Sequence, residues 1–440
     1  MNHPVIIVLL AVVLSVAVVA LLLLSVKPYL EEKAQKTVLA ALQDAQTEQL
    51  AAAGLNYADS YNDAPVNVLK YGADPTGHTD STEAIKLALK GNRHLYFPAG
   101  TYLIDKLSIS GSVTLSGDGD NATVLRTTNM TDNVITFRDG GWHVRDMKFD
   151  ASQYRTGGAY IFSSGDYSSV ENVVLNRSYI GIDLDGSWSV NLTNISALDG
   201  TPSNIAEGGC AIRLGQNAYT GPINIRGLTA RAGVGEAQPS YGIYMGYVDV
   251  VCISDALLIW HTKDVVLAPK ARQFSALVEI TNSCFDTAAN GLWIEPTGGG
   301  RVLRCGISNT WFGAHTGDAL HVDSGNGTVT GVQFSNCMFL ANGGSGAVVG
   351  GSGVDGVYFS NCFSGGNQGD GLALRDHAKN VVWSGGVIGA THELNGNVGF
   401  AFTADAGTSG RVNLADLRGN GAGISTDPDH SVAVFENIIE

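Results

Sequence analysis

The chain has 440 residues, 44% of them apolar and 15% charged, with 56 glycines and only 11 prolines. This composition excludes a disordered chain and suffices for a large buried core. The formal net charge of −15 and the absence of a basic run argue against a nucleic-acid partner, because binding to phosphates requires clustered Lys and Arg. The six cysteines contain no CxxC pair, so neither a zinc nor a thioredoxin-like motif is present, and their redox state stays open.

Residues 5–26 form an apolar run broken only by Ser15 and Ser25. The run is long enough to cross a hydrocarbon core of about 30 Å. A signal peptide is the alternative, but the segment has no basic leader and no A-x-A cleavage site. Residues 1–27 are therefore predicted to anchor the protein in membrane lipid.

Three lysines follow the predicted span, Lys27, Lys33 and Lys36, and none precedes it. The positive-inside rule then places the rest of the chain in the cytoplasm, which does not suit a rod that meets polysaccharide. The internal membrane of a virus would resolve this conflict, since its outward face derives from the cytoplasmic leaflet. A bias from three lysines that is too weak to set the topology would also resolve it.

A helical stalk is predicted for residues 28–54, between Pro28 at its first turn and Gly54 at its stop. A thin heptad seam follows one face: Val38, Leu42, Ala45, Gln49 and Ala52. This seam favours a homo-oligomer, with a trimer preferred, and a solvated spacer is the alternative. Residues 55–65 are interpreted as a polar linker.

Residues 66–104 carry three short motifs, YGADPTG at 71–77, TDST at 79–82 and YFPAGTY at 96–102. Asp80 and Glu83 are spaced as a capping box, and Ile85, Ala88 and Leu89 form one apolar face of a short helix. Such a helix can cover the open end of a stack of strands. The segment resembles the entry module of the pectate-lyase-like superfamily of right-handed parallel β-helices, which includes polysaccharide lyases, hydrolases, epimerases and phage tailspikes.

The resemblance implies a fold and leaves the reaction open. The Trp-Ile-Asp-His and Arg-x-Pro signatures of pectate lyases are absent from the sequence. So are the Asn-Thr-Asp, Gly-His-Gly and Arg-Ile-Lys set of polygalacturonases and the Tyr-Gly-Phe-Asp-Pro-His signature of alginate epimerases. None of these activities is carried over to this chain.

From residue 105 to 440 the sequence is periodic. The clearest phrase is repeated around Asn282, Asn309, Asn336 and Asn361, at intervals of 27, 27 and 25 residues. The same slot recurs in other repeats as Gly117, Asp146, Asn172, Asn194, Gly227, Asp255, Gly385 and Asp416. Short period-2 strands between Gly and Asn turns predict an all-β solenoid, a single-stranded parallel β-helix of about twelve coils with three sheets per coil, and the resemblance implies right-handedness.

The asparagines of this slot are predicted to be structural and buried, in left-handed or bridge backbone conformations that Asn and Gly tolerate. The cysteines are interpreted as core residues. Cys337 and Cys362 occupy one slot in successive coils, so they should stack as small apolar side chains, with a lateral disulfide as the alternative.

Alternation along the strands predicts a polar outer row. If Ile182, Ile212, Ile243, Leu292, Leu320 and Phe400 point inward, then Asp183, Arg213, Tyr244, Trp293, His321 and Ala401 point outward. Two residues further along lie Asp185, Gly215, Gly246, Glu295 and Asp323. Trp293, Tyr244, Arg213, Asp183 and Asp185 are predicted to bind a polysaccharide, with Trp293 as a stacking platform for a sugar ring.

Glu295 and Asp323 fall on adjacent coils at one slot, with backbones about 5 Å apart. A carboxyl pair at such spacing suits a retaining glycosidase, with one acid and one nucleophile, and His321 would relay protons. Glu295, Asp323 and His321 are therefore the candidate catalytic residues. The alternative is an ordinary pair of surface carboxylates on an acidic rod.

A second arrangement places Arg213 beside Tyr244, which would suit a lyase that neutralises a uronate and abstracts its proton. The alternative is a local ion pair between Arg213 and a carboxylate. Asp370 and Asp376 flank another turn, but two acids do not make the oxygen cage of a calcium site. The sequence predicts no metal and no cofactor.

The sequence thus predicts a membrane-anchored spike that binds a cell-surface polysaccharide for host recognition by a virus. If Glu295 and Asp323 are catalytic, the spike also cleaves that polysaccharide. Its location would be a virion surface or a bacterial cell envelope. A cellular envelope lyase or hydrolase and a non-catalytic adhesive rod are the alternatives.

Overall fold

The computed structural model describes residues 65–200, 209–232, 241–389, 395–402, 409–413, 422–426 and 432–436. The predicted anchor, stalk and nearly all of the linker lie outside these residues. Within the described ranges, no helix is long and apolar enough to cross a membrane.

The described chain is a parallel β-helix built from two hydrogen-bonded sheets. Sheet B comprises thirteen described strands, one per coil: β5 (Leu107–Ile109), β8 (Ile135–Phe137), β10 (Ala159–Ser163), β12 (Ile180–Leu184), β14 (Cys210–Leu214), β16 (Tyr241–Met245), β19 (Lys263–Leu267), β22 (Asn290–Ile294), β26 (Leu320–Asp323), β29 (Ala347–Gly350), β31 (Leu372–Leu374), β33 (Val398–Phe402) and β35 (Ala422–Thr426). This count is close to the predicted number of coils.

Sheet A holds the other twenty-three described strands. They are β1 (Val66–Asn67), β2 (Thr76–Asp80), β3 (His94–Phe97), β4 (Gly100–Ile104), β6 (Val113–Gly117), β7 (Thr123–Thr127), β9 (Trp142–Ala151), β11 (Ser168–Asn176), β13 (Val190–Gly200), β15 (Ile223–Ala232), β17 (Val248–Ser254), β18 (Leu257–Ile259), β20 (Phe274–Thr281), β21 (Cys284–Asp286), β23 (Arg301–Leu303), β24 (Gly306–Ser308), β25 (Trp311–Gly313), β27 (Thr328–Ser335), β28 (Met338–Leu340), β30 (Val354–Gly365), β32 (Lys379–Ile388), β34 (Ser409–Asn413) and β36 (Val432–Glu436).

Three sheets per coil were predicted, but two of them form one continuous hydrogen-bonded sheet, sheet A. They are continuous because short bends, and not loops, separate their strands. Asn172 and Asn194 interrupt the ladder between β11 and β13 and have φ values of 53° and 52°. Asn282, Asn309 and Asn336, at the repeated slot, have φ values of 51°, 49° and 53°. The left-handed conformation predicted for this slot is confirmed.

The predicted burial of these asparagines is wrong. Asn282, Asn309, Asn336 and Asn361 are exposed on the outside of the bend. The contact between the Asn336 amide and Asn309 Oδ1 is long, at 3.4 Å. Asparagine occupies this slot because it tolerates left-handed angles, while the neighbouring residues of each strand supply the buried side chains.

The core fills the interior of the coils with stacked side chains. Leu292 and Leu320 are 1% and 0% exposed and lie opposite each other on β22 and β26. Phe285, Phe312 and Phe339 contact one another from coil to coil with successive ring centroids 5.2 Å apart, the first pair edge to face and the second pair stacked. Burial of such rings is a large apolar contribution to stability.

The entry module consists of a 3-10 helix (Val68–Tyr71) and the helix α1 (Thr82–Leu89). Ile85 and Ala88 are fully buried against the first coils, as the apolar face predicts. The capping box is only partly formed: Asp80 accepts from the Thr82 N–H at 2.8 Å, but Glu83 pairs with Lys86 instead.

Asp74 organises the turn between the 3-10 helix and β2. Its carboxylate accepts hydrogen bonds from the N–H and hydroxyl groups of Thr76 and Thr79. These bonds, from Thr76 first, hold the pKa of Asp74 far below its ordinary value. The DPTG motif is therefore a turn motif that sets the entry into the first coil.

All six cysteines are free thiols. Cys337 and Cys362 are buried and donate to the carbonyl groups of Ile307 and Phe334, at 3.5 and 3.6 Å. The interpretation as core residues fails for Cys252, which is exposed, and for Cys284, which is only partly buried, because both side chains point outward from their strands.

Candidate functional site

The predicted polar row lies along the outer face of sheet B. The prediction missed one coil of this row, the coil that contains β19. Arg213 lies beside Tyr244 on adjacent strands, and Trp293 lies beside His321. Val266 of β19 stands between Tyr244 and Trp293. The row therefore divides into two separate groups.

Trp293 is covered on both faces of its ring. The His321 ring stacks on it at 3.8 Å with an interplanar angle of 6°, and Lys263 Nζ lies 3.9 Å from the ring centroid. Burial lowers the pKa of Lys263, and the charge of Glu295 opposes that shift. With stacked neighbours from two coils, Trp293 has no open face for the predicted sugar platform.

The indole N–H of Trp293 has a different partner. It donates to Glu295 Oε2 at 2.7 Å, which holds the carboxylate on the outer face of the sheet. The backbone N–H of Glu295 donates to Leu267 O of the preceding coil. Trp293 is thus a positioning residue for Glu295.

Asp323 occupies the corresponding place one coil further along, since Ile294 pairs with Val322 directly before the two acids. Both carboxyl side chains are half-buried. Asp323 Oδ1 accepts from the Gly325 N–H at 2.8 Å, which secures the turn that ends β26. Sequence reasoning therefore placed Glu295 and Asp323 on the same face and on adjacent coils correctly.

His321 is tied to a further acid. Its Nδ1 lies 3.5 Å from Asp318 Oδ2, a long contact, and Asp318 also accepts from the Ser345 N–H at 2.8 Å. Burial acts to raise the pKa of Asp318, but interactions with His321, the Ser345 N–H and Arg375 outweigh it and lower that pKa. Glu295 and Asp323, with His321 two residues before Asp323, are called the carboxylate site of sheet B below.

The first group of the polar row is closed by an ion pair. Arg213 Nε donates to Asp183 Oδ1 at 3.0 Å, and Arg213 Nη2 donates to Asp183 Oδ2 at 2.6 Å. Asp183 is 2% exposed, so it does not lie on an open surface as predicted. Burial acts to lower the pKa of Arg213, but the bonds to Asp183 outweigh it and raise that pKa. The alternative stated for Arg213, a local ion pair with a carboxylate, is therefore present.

Asp185 and Tyr244 also have local partners. Asp185 accepts from the backbone N–H groups of Asn217 and Ala218 at 2.8 and 2.7 Å, and from the Asn217 side chain. The Tyr244 hydroxyl donates to Ala268 O at 3.3 Å. These contacts shape loops and strands and leave the lyase arrangement without a free base and cation.

No group of three or more His, Cys, Asp or Glu side chains in the described ranges is arranged to hold a metal ion. Asp376 lies with its Oδ2 3.5 Å from Arg375 Nε, an ion pair.

Sequence reasoning missed a polar chain inside the coils. His261, Asp264, His315, Asn342, Asn367 and Asn395 are all 2% exposed or less and follow one another by hydrogen bonds. The signal was available, because four of these residues occupy one slot: His261, His315, Asn342 and Asn367 come three positions after Leu258, Phe312, Phe339 and Ser364, which share one register position in sheet A. Asp264 alone comes from sheet B.

A cluster of surface aromatic residues was also missed. Trp188, Tyr219, Tyr247 and Phe274 contact one another at the turns from sheet B into sheet A. The signal was an aromatic residue at or shortly before the first residue of β13, β15, β17 and β20.

These features define a parallel β-helix whose outer face carries paired carboxylates. A family model described as rhamnogalacturonase A/epimerase, pectate lyase-like, matches residues 65–139. No curated protein matches the sequence significantly. The match covers the entry module and the first coils, the part of the chain in which the motifs lie.

Three solved structures share the fold at low sequence identity. Tailspike protein 3 of bacteriophage CBA120 is 14% identical with a TM-score of 0.59, over 86% of this chain and 62% of its own. The Dettilon tailspike protein is 13% identical with a TM-score of 0.56, over 84% and 68%. The mannuronan C-5 epimerase A-module of Azotobacter vinelandii is 16% identical with a TM-score of 0.53, over 83% and 99%. The described chain therefore has the parallel β-helix fold of these structures, and residues 65–139 match a pectate-lyase-like family model.

Proposed function

We propose that the protein binds a cell-surface polysaccharide and hydrolyses it at Glu295 and Asp323. The observation that carries the proposal is the hydrogen bond from the Trp293 indole to Glu295, one coil from Asp323 on the same outer face. A carboxylate held by a rigid, stacked donor is pre-positioned for chemistry. The tailspike and epimerase neighbours support a polysaccharide as the ligand.

The roles follow from the neighbours of each acid. The Trp293 N–H and the nearby Lys263 ammonium stabilise negative charge on Glu295, which suits a nucleophile. Asp323 would donate its proton to the glycosidic oxygen as the bond to the anomeric carbon breaks and Glu295 bonds to that carbon. Asp323 would then take a proton from water, whose oxygen displaces Glu295. His321, beside Asp318, would exchange protons with this site.

The surface setting is the second part of the proposal. Residues 5–26 would anchor the protein in a membrane, and the β-helix would act as a host-recognition spike of a virus or as an envelope protein of a bacterium. An outward apolar column on sheet A supports side-by-side association of copies, with a trimer preferred. Its exposed members Leu257, Trp311 and Met338 are 38%, 37% and 46% exposed.

A non-catalytic adhesive rod is the second candidate. It is favoured by the contact of Asp323 Oδ1 with the Gly325 N–H, which serves the turn. The structure of the Streptococcus pneumoniae surface adhesin PfbA shares the fold at 12% identity, with a TM-score of 0.53 over 85% of this chain and 98% of its own.

The test is to incubate the full chain, purified in detergent, with a panel of bacterial surface polysaccharides and to analyse the products. New reducing ends with retained anomeric configuration support the hydrolase. Binding without products, in the parent and in Glu295→Gln alike, supports the adhesive rod.

A further inference from the structure

The four rings at the turns from sheet B into sheet A form a continuous aromatic column of Trp188, Tyr219, Tyr247 and Phe274. Successive ring centroids are 5.9, 5.2 and 5.1 Å apart, and Tyr219 also lies 6.1 Å from Phe274. The residues come from four consecutive coils, those of β12, β14, β16 and β19. The column therefore runs along the axis of the rod.

The backbone under the column is held by carboxylates. Asp166 Oδ1 accepts from the Trp188 N–H at 2.9 Å. Asp185 accepts from two N–H groups just before Tyr219, and the Tyr219 hydroxyl donates to Asp249 Oδ2 at 3.2 Å. The rings are thus pre-organised, so little conformational entropy would be lost when a ligand stacks on them.

The column is accessible, and two carboxylates and one guanidinium lie beside it. Trp188 is 43% exposed, and the other three rings are half-buried. The carboxylates of Asp185 and Asp249 lie beside the column, while Arg301 lies 5.9 Å from the Phe274 ring at one end. An uncharged pyranose fits this chemistry, because its C–H face stacks on aromatic rings and its hydroxyl groups donate to carboxylates. We expect a uronate chain to bind less well, because the carboxylates of Asp185 and Asp249 would repel its own.

The column lies at the same edge of sheet B as the carboxylate site. Glu295 follows β22 and Asp323 ends β26, and these strands belong to the two coils directly after that of β19. The aromatic residues likewise lie beyond the ends of their sheet B strands. Coils rise by about 4.8 Å, so a linear glycan on the column would pass Arg301, which follows Phe274 in register, in the coil that carries Glu295.

We propose that the aromatic column binds a linear glycan of neutral or N-acetylated hexoses, as the substrate-holding subsites next to Glu295 and Asp323. This inference rests on the proposed function and adds the ligand class and the surface that selects it. The column would hold the part of the chain that does not react, so it would determine affinity for long oligosaccharides more than turnover.

The experiment measures binding of fluorescently labelled linear hexasaccharides and disaccharides to the full chain in detergent. The probes are a β-1,4-glucan, chitin oligosaccharide, a mannan and an oligogalacturonate. All measurements use the Glu295→Gln background, so that cleavage does not interfere. We expect a neutral or N-acetylated hexasaccharide to bind and the oligogalacturonate to bind less well.

Trp188→Ala should weaken hexasaccharide binding at least about tenfold, as loss of one stacking surface predicts, and disaccharide binding far less. Trp188→Phe should restore most of the affinity, which separates a lost stacking surface from a folding defect. Tyr358→Ala removes an aromatic residue that is 41% exposed on sheet A and should change nothing.

The outcomes separate the two proposals. If Trp188→Ala binds the hexasaccharides like the parent, or if the oligogalacturonate is preferred, the aromatic column is not the glycan site, and the proposed hydrolase can still be active. If neutral probes bind through Trp188 but the chain with native Glu295 cleaves none of them, the column stands and the hydrolase proposal fails. If no probe binds, the column proposal is wrong, and product formation from surface polysaccharides still decides the hydrolase.

Discussion

His315 Nε2 lies 3.0 Å from Asp264 Oδ2 inside the β-helix, although 51 residues separate them in the chain. The other ring nitrogen of His315 lies 2.8 Å from Asn342 Oδ1, which also accepts the His315 backbone N–H. Nδ1 must therefore carry a proton, and a second proton must lie between Nε2 and Asp264. Burial raises the pKa of Asp264 and lowers that of His315, which places the second proton on the acid and keeps both groups neutral.

The first prediction concerns this pair. His315→Leu should lower the free energy of unfolding by about 1–3 kcal/mol, since it leaves Asp264 Oδ2 without its hydrogen-bond partner inside the core. Adding Asp264→Leu should recover part of the loss, because both polar partners are then gone. Denaturant unfolding of the single and double variants measures the coupling. Strictly additive losses would show that the two residues do not interact.

The second prediction concerns pH. Burial lowers the pKa of His261 to about 3 and also lowers that of His315. The unfolded chain takes up protons on these histidines below pH about 6.5 and the folded chain does not, so stability should fall as the pH drops from 6.5 toward 3. The raised pKa of Asp264 opposes part of this loss, since its contribution to stability is present at low pH and is lost as pH rises.

His261→Gln should flatten the pH dependence of the unfolding midpoint in that range. His78→Gln, at an exposed position of the entry module, is the matched control and should leave the curve unchanged. Equal slopes for the parent and His261→Gln would contradict the assignment.

The third prediction tests the carboxylate site. Glu295→Gln and Asp323→Asn should each lower kcat at least about a hundredfold, with the fold and sugar binding kept. Trp293→Phe keeps the ring between Lys263 and His321 but removes the N–H, so it should lower kcat by about tenfold while the melting temperature changes little. Initial rates with a cleaved polysaccharide measure all three. Full activity in both carboxamide variants would place the chemistry elsewhere.

The fourth prediction concerns the bend of sheet A. Asn309 is exposed with φ of 49°, so Asn309→Gly should be nearly neutral. Asn309→Val should cost about 1–2 kcal/mol, because a β-branched residue resists the left-handed conformation. The difference in stability between the two variants, measured by thermal unfolding, gives the cost of placing a β-branched residue in the left-handed conformation. A large loss in the glycine variant would instead assign the role to the side-chain amide.

The fifth prediction concerns residues 1–54. The full chain should enter the detergent-rich phase in a detergent phase separation, because residues 5–26 require lipid. A chain lacking residues 1–54 should remain in the aqueous phase and retain a β-rich circular dichroism spectrum. An insoluble or unfolded truncated chain would contradict the proposed division into anchor, stalk and β-helix.

The repeat alone was enough to predict much of the fold. The spacing of Asn282, Asn309 and Asn336 indicated the coils, and alternation placed Leu292 inside and Trp293 outside. Periodicity succeeds here because each coil repeats the same local conformations and stacks only on its neighbours. It failed where an irregular coil intervened, as with Val266 between Tyr244 and Trp293.

What the sequence by itself determined was the class of solenoid, the face on which Glu295 and Asp323 lie and the left-handed bends. Only the tertiary structure decided which polar groups are already paired. Lys263 and His321 cover Trp293 from neighbouring coils, and Asp264 contacts His315, which lies 51 residues further along the chain. Strand alternation determines the side of a sheet to which a side chain points, but rotamers and partners across coils depend on packing between segments about 25 to 50 residues apart.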